Sequence, residues 1–443
     1  ELINTLKILM INFFKKNDII RIKKNIGGNL VITSSFFLIQ FFHIPLMLYI
    51  WGVDKTGYWF YLLAIPSLLS FWKINFSEAS KQELIIKKNS NKNEIYTISF
   101  LFTFITLLIF AVIYFTINIK YVNFFEIFKN VEIYKFNWIL GLIFASFSIE
   151  LITNNLLIIS QYQGKIYPTQ ILTSIFSILE KILIPLVGYF TEYLLYAAIC
   201  LIIIRIIRYL ISKYIINKYI IKFSLNFKNF NQNNVIYIFK KSTSFYFNDL
   251  SHALDRSGLI YLVGYFFTAE IVVMLAALQT MFKFTLVWTF SIFENIIRFE
   301  YANFYRNKKF LNILKLYKFQ RNILYILIVF FLVGVYFFGR MFFDLWTGGV
   351  FNYSITLIYL VTFDCIIFMI GYNQILLLYS LNKLKKISLY ALMINILSFI
   401  FLFYFETFRI NLETIYSVLI FKGFLILLIN MILNFRFIKF LQK

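Results

Sequence analysis

The residues best suited to chemistry lie in a polar segment inside an apolar stretch, at positions 244–257. Asp249, His252, Asp255 and Arg256 occur there within eight residues. In a helix, Asp249, His252 and Arg256 fall within about 60° of one another, and Asp255 lies roughly 60° further round. This polar face could line a cavity that binds an anion or exchanges ions, or it could form an intramembrane salt bridge between Arg256 and one of the aspartates.

Further ionisable residues interrupt other apolar runs. Glu150 and Asp364 are each expected to find a cation, and Lys283 and the Glu180-Lys181 pair supply candidate partners. Lys73, Arg205 and Arg208 lie nearer the ends of their runs, where long stems can reach the membrane surface. The predicted substrate-binding residues are Arg256, Lys283, Lys181 and Lys422, and the predicted ion-coupling or polar residues are Asp249, His252, Asp255, Glu150 and Asp364.

Sites for enzymatic chemistry are not evident in the sequence. The two cysteines, Cys200 and Cys365, have no metal-ligand spacing around them, His43 and His252 are the only histidines, and there is no HExxH, GxSxG or Walker-type motif. We therefore predict no metal, no cofactor and no enzymatic activity. The net charge of +23 is dispersed between apolar runs, which argues against a nucleic-acid partner.

Composition identifies the elements that must position these residues. The 443 residues are 61% hydrophobic and 14% charged, with a mean hydropathy of +0.78, as expected of an integral membrane protein. A helix needs about 20 apolar residues to cross the hydrocarbon core. Twelve runs of this kind are predicted, at 29–50, 58–76, 95–117, 138–160, 169–190, 193–215, 245–264, 268–290, 322–343, 353–379, 387–405 and 412–434.

The basic residues indicate the orientation of these spans. Of the lysines and arginines, 32 fall on one side of the predicted membrane and 6 on the other. The positive-inside rule then places both termini in the cytoplasm. Residues 1–28 are predicted to be a cytoplasmic segment of the mature chain, since they lack the pattern of a secretory signal.

Two local similarities indicate an internal repeat. Residues 155–165 align with 373–383 at an offset of 218. The turn that begins at Gly52 and leads to Gly57-Tyr58 resembles the one that begins at Gly264, 212 positions later, and leads to Thr268-Ala269. Both pairs occupy spans of matching parity, which predicts parallel repeats related by an axis along the membrane normal. The expected organisation is a six-helix lobe at 29–215, a cytoplasmic linker at 216–241 and a second six-helix lobe at 242–443, arranged around a central cleft.

Several motifs carry a family resemblance. They are Leu48–Trp59, Leu254–Arg256 with Val263–Tyr265, Asp344–Gly349, and the turns Gly164-Lys165 and Asn382-Lys383. In these motifs the chain resembles the O-antigen type flippases of lipid-linked oligosaccharides, from the multidrug/oligosaccharidyl-lipid/polysaccharide exporter (MOP) superfamily. The segment Phe71–Phe76 departs from the small-residue pattern of that family, which weakens any transfer of residue roles to the second span.

The resemblance implies a bacterial inner-membrane transporter that moves an undecaprenyl-pyrophosphate-linked oligosaccharide by alternating access, for surface polysaccharide or O-antigen assembly. Its partners would be the lipid-linked substrate, membrane lipids and other membrane proteins of polysaccharide assembly. Arg256 would bind pyrophosphate through its planar fork, and Lys181, Lys283 and Lys422 would act as point charges. The alternatives are a cation-coupled multidrug exporter of the same superfamily and a polysaccharide polymerase or ligase, although the longest outer segment, 118–137, has no Arg or His.

Overall fold

The computed structural model describes residues 16–68, 80, 92–120, 133–162, 166–191, 194–219, 231–381, 383–404 and 411–442. The predicted positions Lys73, Gly164, Lys165 and Asn382, and most of the predicted linker, lie outside the described residues. The described part of the chain is built of helices and contains no strand.

The described residues of the first half of the chain form five long helices. They are α1 (Lys16–Leu68), α2 (Lys92–Lys120), α3 (Ile133–Tyr162), α4 (Ile166–Thr191) and α5 (Leu194–Tyr219). The helix α1 contains the first two predicted spans, because the backbone turns sharply at Gly52 (φ 72°, ψ −179°). That positive φ is a conformation that glycine adopts without a steric cost.

The second half contains two helices that are interrupted by wider, π-helical turns. Its elements are α6 (Gln232–Ala253), a π turn (Leu254–Gly258), α7 (Leu259–Phe266), α8 (Ala269–Leu278), a second π turn (Gln279–Phe284), α9 (Thr285–Arg306), α10 (Phe310–Thr347), α11 (Ile355–Ser380), α12 (Lys385–Tyr404) and α13 (Leu412–Gln442). The helix α10 ends at Gly348, which has the left-handed conformation (φ 71°) typical of a helix C-terminus.

The predicted spans match these elements apart from residues 69–76, 193 and 405, which lie outside the described residues. Spans seven and eight each correspond to two helices joined by a π turn, and spans one and two share α1. Within the described residues, eight helical segments are long and apolar enough to cross a membrane by themselves. The remaining spans are broken by the Gly52 bend, by charged residues or by residues outside the description, so hydropathy alone identifies them less clearly.

The helices pack into two groups that meet along α1, which contacts α4 in the first group and α8 and α9 in the second. Large buried side chains of α1, including Trp51, Trp59 and Tyr61, form a core with α3, α4 and α5. Tyr61 stacks on Tyr261 of α7 with ring centroids 5.7 Å apart. The indole of Trp346 donates a hydrogen bond to the carbonyl oxygen of Phe41. The two halves of the chain are therefore in direct contact.

Buried amides occupy equivalent places in the two halves. Asn155 of α3 accepts a hydrogen bond from Ser99 Oγ of α2 at 2.7 Å, and Asn373 of α11 accepts one from Gln320 Nε2 of α10 at 2.6 Å. Both contacts join the third and fourth spans of their half. Asn155 and Asn373 are 218 positions apart, which is the offset from which the repeat was predicted.

Candidate functional site

Both π turns carry a charged residue of the candidate site. Asp255 lies in the turn between α6 and α7, and Lys283 lies in the turn between α8 and α9. A π turn widens the helix and changes the direction in which its side chains project, and such turns often occur at functional sites. Two interrupted helices therefore aim opposite charges at each other inside the second lobe.

Asp255, Lys283, Asp364 and Lys422 form a continuous chain of ion pairs, hereafter the C-lobe ion chain. Lys283 Nζ lies 2.9 Å from Asp364 Oδ2 and 3.7 Å from Asp255 Oδ2. Lys422 Nζ contacts the other oxygen of Asp255. The chain joins four different spans, the seventh, eighth, tenth and twelfth, and its two cations and two anions balance.

The surroundings of the C-lobe ion chain are nearly dry and aromatic. The four side chains have exposures between 3% and 14%. Lys283 Nζ also lies 5.1 Å from the ring centroid of Phe368, and the thiol of Cys365 donates to the carbonyl oxygen of Lys283 at 3.5 Å. Because little water reaches these charges, each one depends on its partners, and separating a pair costs several kcal/mol.

Of the cations that the sequence offered as partners for Asp364, Lys283 is the one that contacts it. For Asp255, the sequence interpretation offered Arg256 as the partner, whereas the structure gives it two lysines that are distant in sequence. Lys283 and Lys422 were predicted to be point charges for substrate, and both are instead engaged with carboxylates. Sequence spacing could not reveal these pairs, because they join residues 28 to 167 positions apart.

Arg256 follows Asp255 in the same π turn, but its side chain is exposed. Charges and hydroxyls close enough to act on it are those of Asp255, Tyr372 and Glu294. Tyr372 donates a hydrogen bond of 2.6 Å to Glu294 Oε1. The guanidinium therefore lies beside polar groups of α9 and α11 at mid-span, where a charged side chain is unusual.

His252 and Asp249 lie on α6, before the π turn. The His252 ring contacts Phe368 and Tyr372 edge-on, with centroids 5.7 and 6.2 Å away. Asp249 is partly buried and lies three residues, or less than one turn, before His252 on the same helix. His252 and Arg256 therefore both lie near Tyr372 of α11.

A second cluster lies in the first lobe and contains a residue that the sequence interpretation misplaced. Arg205 Nη1 lies 2.9 Å from Glu150 Oε2, and Arg205 Nε lies 3.3 Å from Glu180 Oε1. The expectation that Arg205 extends to the membrane surface was wrong, because its side chain is only 10% exposed and is held by two carboxylates. Lys181 and Lys283 were the partners proposed for Glu150, and Arg205 takes that place.

One sequence signal could have identified Arg205. It lies 217 positions before Lys422, close to the repeat offset, so the two cations occupy equivalent spans of the two halves. Arg208, on the same helix, is also buried and contacts Thr173 Oγ1 at 3.4 Å. Within the described residues, no group of three or more His, Cys, Asp or Glu side chains could hold a metal ion.

No protein-family model and no curated protein matches the sequence significantly. The structure, in contrast, superposes on solved membrane transporters over nearly its whole length. A MOP superfamily transporter from Pyrococcus furiosus gives a TM-score of 0.67 with 11% identity, covering 96% of both chains. A variant of the Vibrio cholerae MATE transporter VcmN gives 0.67 with 12% identity, covering 95% of this chain and 96% of the other.

The chain has the MATE fold. A multidrug resistance MATE family transporter in an outward-facing conformation is also similar, with a TM-score of 0.66, 11% identity, and coverage of 95% and 97%. The MATE fold has twelve transmembrane helices in two repeats, so the predicted all-α membrane protein with two six-helix repeats is confirmed. The protein crosses the membrane many times.

Proposed function

We propose that the protein is a transporter that moves an amphipathic solute across the membrane by alternating access of its two lobes. The observation that carries this proposal is the MATE fold, which extends over 95–96% of the chain and is shared with proteins described as transporters. Rocking of two repeats around a site between them is the way in which such folds expose a substrate to either side. No step of this cycle needs covalent catalysis.

In this proposal the C-lobe ion chain couples the helices of one lobe to one another. It holds four spans together through ion pairs, and separating these pairs costs free energy because little water is present to solvate the charges. Proton transfer to Asp255 or Asp364 would break the balance of two cations and two anions, and would leave a lysine in need of another partner. Ion-coupled rearrangement of the lobe is the function best suited to such a group.

The substrate class that the structural neighbours favour is a multidrug-type organic solute. One neighbour is described as a multidrug resistance transporter, and several others are MATE transporters. The engagement of Lys283 and Lys422 by carboxylates supports this class as well, since it removes two of the four cations that an anionic substrate would use. We therefore place a cation-coupled exporter first.

The second candidate is a flippase for an undecaprenyl-pyrophosphate-linked oligosaccharide. The observation in its favour is the position of Arg256 at mid-span, together with the sequence motifs that resemble the O-antigen flippases. An arginine guanidinium can bind a phosphate group through two parallel hydrogen bonds. On this reading, the protein works in a bacterial inner membrane with both termini in the cytoplasm.

Reconstitution into liposomes would test both candidates with one preparation. Proton or sodium gradients should drive uptake of a fluorescent organic cation if the protein is an exporter. Exposure of a fluorescent lipid-linked oligosaccharide to a quencher in the opposite leaflet should be accelerated if it is a flippase. Liposomes that contain folded protein and move neither solute would contradict the transport proposal, with protein-free liposomes as the control.

A further inference from the structure

Lys181, on α4 in the first lobe, differs from Lys283 and Lys422 in its surroundings. Lys283 and Lys422 each contact a carboxylate, whereas no carboxylate among the described residues lies within ion-pair distance of Lys181. Its neighbour Glu180 acts on it through space, but the ion pair of Glu180 is with Arg205. The ammonium of this partly buried residue is therefore left without a direct anionic partner among the described residues.

The imidazole of His43 in α1 also has a polar atom without a partner. Its side chain is 3% exposed, and among the described residues Nδ1 has no hydrogen-bond partner. Phe60 packs edge-on against its ring at 6.2 Å, and the charge of Lys181 acts on it. A buried polar nitrogen that makes no hydrogen bond costs free energy. A bound ligand that forms a hydrogen bond with this nitrogen would therefore stabilise the protein.

The packing of α1 against α4 explains why these two groups are neighbours. The indole of Trp51 donates to the carbonyl oxygen of Pro185 at 3.0 Å, and Gly188 leaves room for that indole. The first and fifth spans cross the membrane in the same direction, so positions before Trp51 face positions before Pro185. His43 lies about 12 Å and Lys181 about 6 Å below that bond. Because helical side chains tilt toward the N-terminus, the lysine stem reaches toward the level of His43.

We propose that His43 and Lys181 form a binding site for a phosphate-type anion between α1 and α4. The ammonium supplies charge-assisted hydrogen bonds to phosphate oxygens, and an imidazole N–H supplies a further donor. The anion can be the head group of a membrane lipid or lipid-linked substrate, or a phosphate compound in solution. In its lipid-linked form this inference rests on the second candidate function and adds His43 and a place between α1 and α4 to it, and binding can be measured without turnover.

The test uses the full-length protein in nanodiscs of phosphatidylcholine. Inorganic pyrophosphate is titrated by calorimetry, and a second set of nanodiscs contains undecaprenyl pyrophosphate, whose retention is measured by native mass spectrometry. Binding of pyrophosphate identifies a site open to soluble anions, and binding of the lipid alone identifies a head-group site. If neither probe binds to the wild-type protein, the proposal is wrong, while the transport proposal still stands.

Variants connect the binding to the two residues. We expect Lys181→Gln to weaken the affinity at least about tenfold, as the loss of a charge-assisted hydrogen bond predicts. Lys181→Arg should retain most of the affinity, and His43→Phe should weaken it while filling a similar volume. Arg208→Gln removes another buried cation of the same lobe and should leave the affinity unchanged. Equal loss in Arg208→Gln would contradict a local site.

A purely structural role for Lys181 predicts a different pattern. If Lys181 only balances Glu180, the double variant Lys181→Gln with Glu180→Gln should bind the probe as well as the wild type does. Under our proposal this double variant remains weak, because the donor itself is missing. Size-exclusion profiles of each variant establish that the protein is folded before its affinity is compared.

Discussion

Lys283 and Asp364 form the most buried ion pair of the second lobe, with Nζ and Oδ2 2.9 Å apart and side-chain exposures of 5% and 6%. The pair holds the π turn between α8 and α9 against the middle of α11. Its partners come from the eighth and tenth spans, so the two helices cannot slide past each other without separating opposite charges in a dry environment.

Removing one member of this pair should therefore cost more than removing both. We expect Lys283→Gln or Asp364→Asn alone to destabilise the protein by about 3–5 kcal/mol, since each leaves a buried charge uncompensated. The double variant keeps the lobe neutral and leaves Asp255 with Lys422, so it should recover most of that loss. Thermal unfolding in detergent measures the difference. Equal midpoints for all three variants would contradict the pairing.

The cluster in the first lobe predicts an asymmetry between its members. Arg205→Gln leaves Glu150 and Glu180 without their shared cation, whereas Glu150→Gln leaves Arg205 still bound to Glu180. We expect a loss of about 3–5 kcal/mol for the arginine variant, and a clearly smaller one for Glu150→Gln, whose side chain is 32% exposed. The same unfolding assay checks the order, and a larger effect of Glu150→Gln would reject our assignment of Arg205 as the central residue.

Gly57 marks a contact between the two halves that a single methyl group should disturb. A Cβ atom at this position would lie 2.5 Å from the carbonyl oxygen of Ala269 and 2.8 Å from its Cβ. Because the obstacle is largely backbone, Gly57→Ala must push α1 and α8 apart. Spin labels at Lys55 and Thr268, both exposed, should report a longer distance in electron resonance measurements.

The control for this prediction is Gly334→Ala on α10, where a new Cβ meets nothing within 4 Å. It should leave the distance distribution unchanged. If the distance distribution of Gly57→Ala coincides with that of the wild type, the contact between Gly57 and Ala269 does not determine the spacing of α1 and α8.

The helices could be predicted from the sequence, and most of the ion pairs could not. Apolar runs of about 20 residues and the turns at Gly52 and Gly348 depend on local composition, which a single sequence displays. The pairing of Asp255 with Lys422 depends instead on which faces of the seventh and twelfth spans meet, and on a π turn that changes the facing of Asp255. Arg205 was misplaced for the same reason. Its position near the end of an apolar run suggested the surface, while two carboxylates from other helices hold it inside.

The orientation of the chain remains a prediction from the distribution of basic residues. A cysteine introduced at Asn229, within the predicted linker, should be protected from an impermeant thiol reagent in intact cells, because the positive-inside rule places it in the cytoplasm. A cysteine at Asn130 should react. Both experiments need a background without Cys200 and Cys365. Labelling of position 229 with protection of position 130 would reverse the assigned topology.

Substitutions of Arg256 distinguish most clearly between the two candidate substrates. Asp255 already contacts Lys283 and Lys422, so Arg256→Gln leaves the C-lobe ion chain intact and should yield a folded protein. If the protein moves a pyrophosphate-linked lipid, Arg256→Gln should lose most transport, and Arg256→Lys should keep part of it because the charge stays while the bidentate fork is lost.

For an exporter of organic cations the same substitutions have the opposite consequence. Removal of a positive charge from the site lowers the repulsion of a cationic solute, so Arg256→Gln should transport it at least as well as the wild type. Lys422→Gln is the matched control: it removes a cation of the same lobe but breaks the contact with Asp255, and should lower stability in either case. Wild-type rates for both solutes in stably folded Arg256→Ala would exclude Arg256 from substrate binding, and the polar face of α6 would then serve helix packing alone.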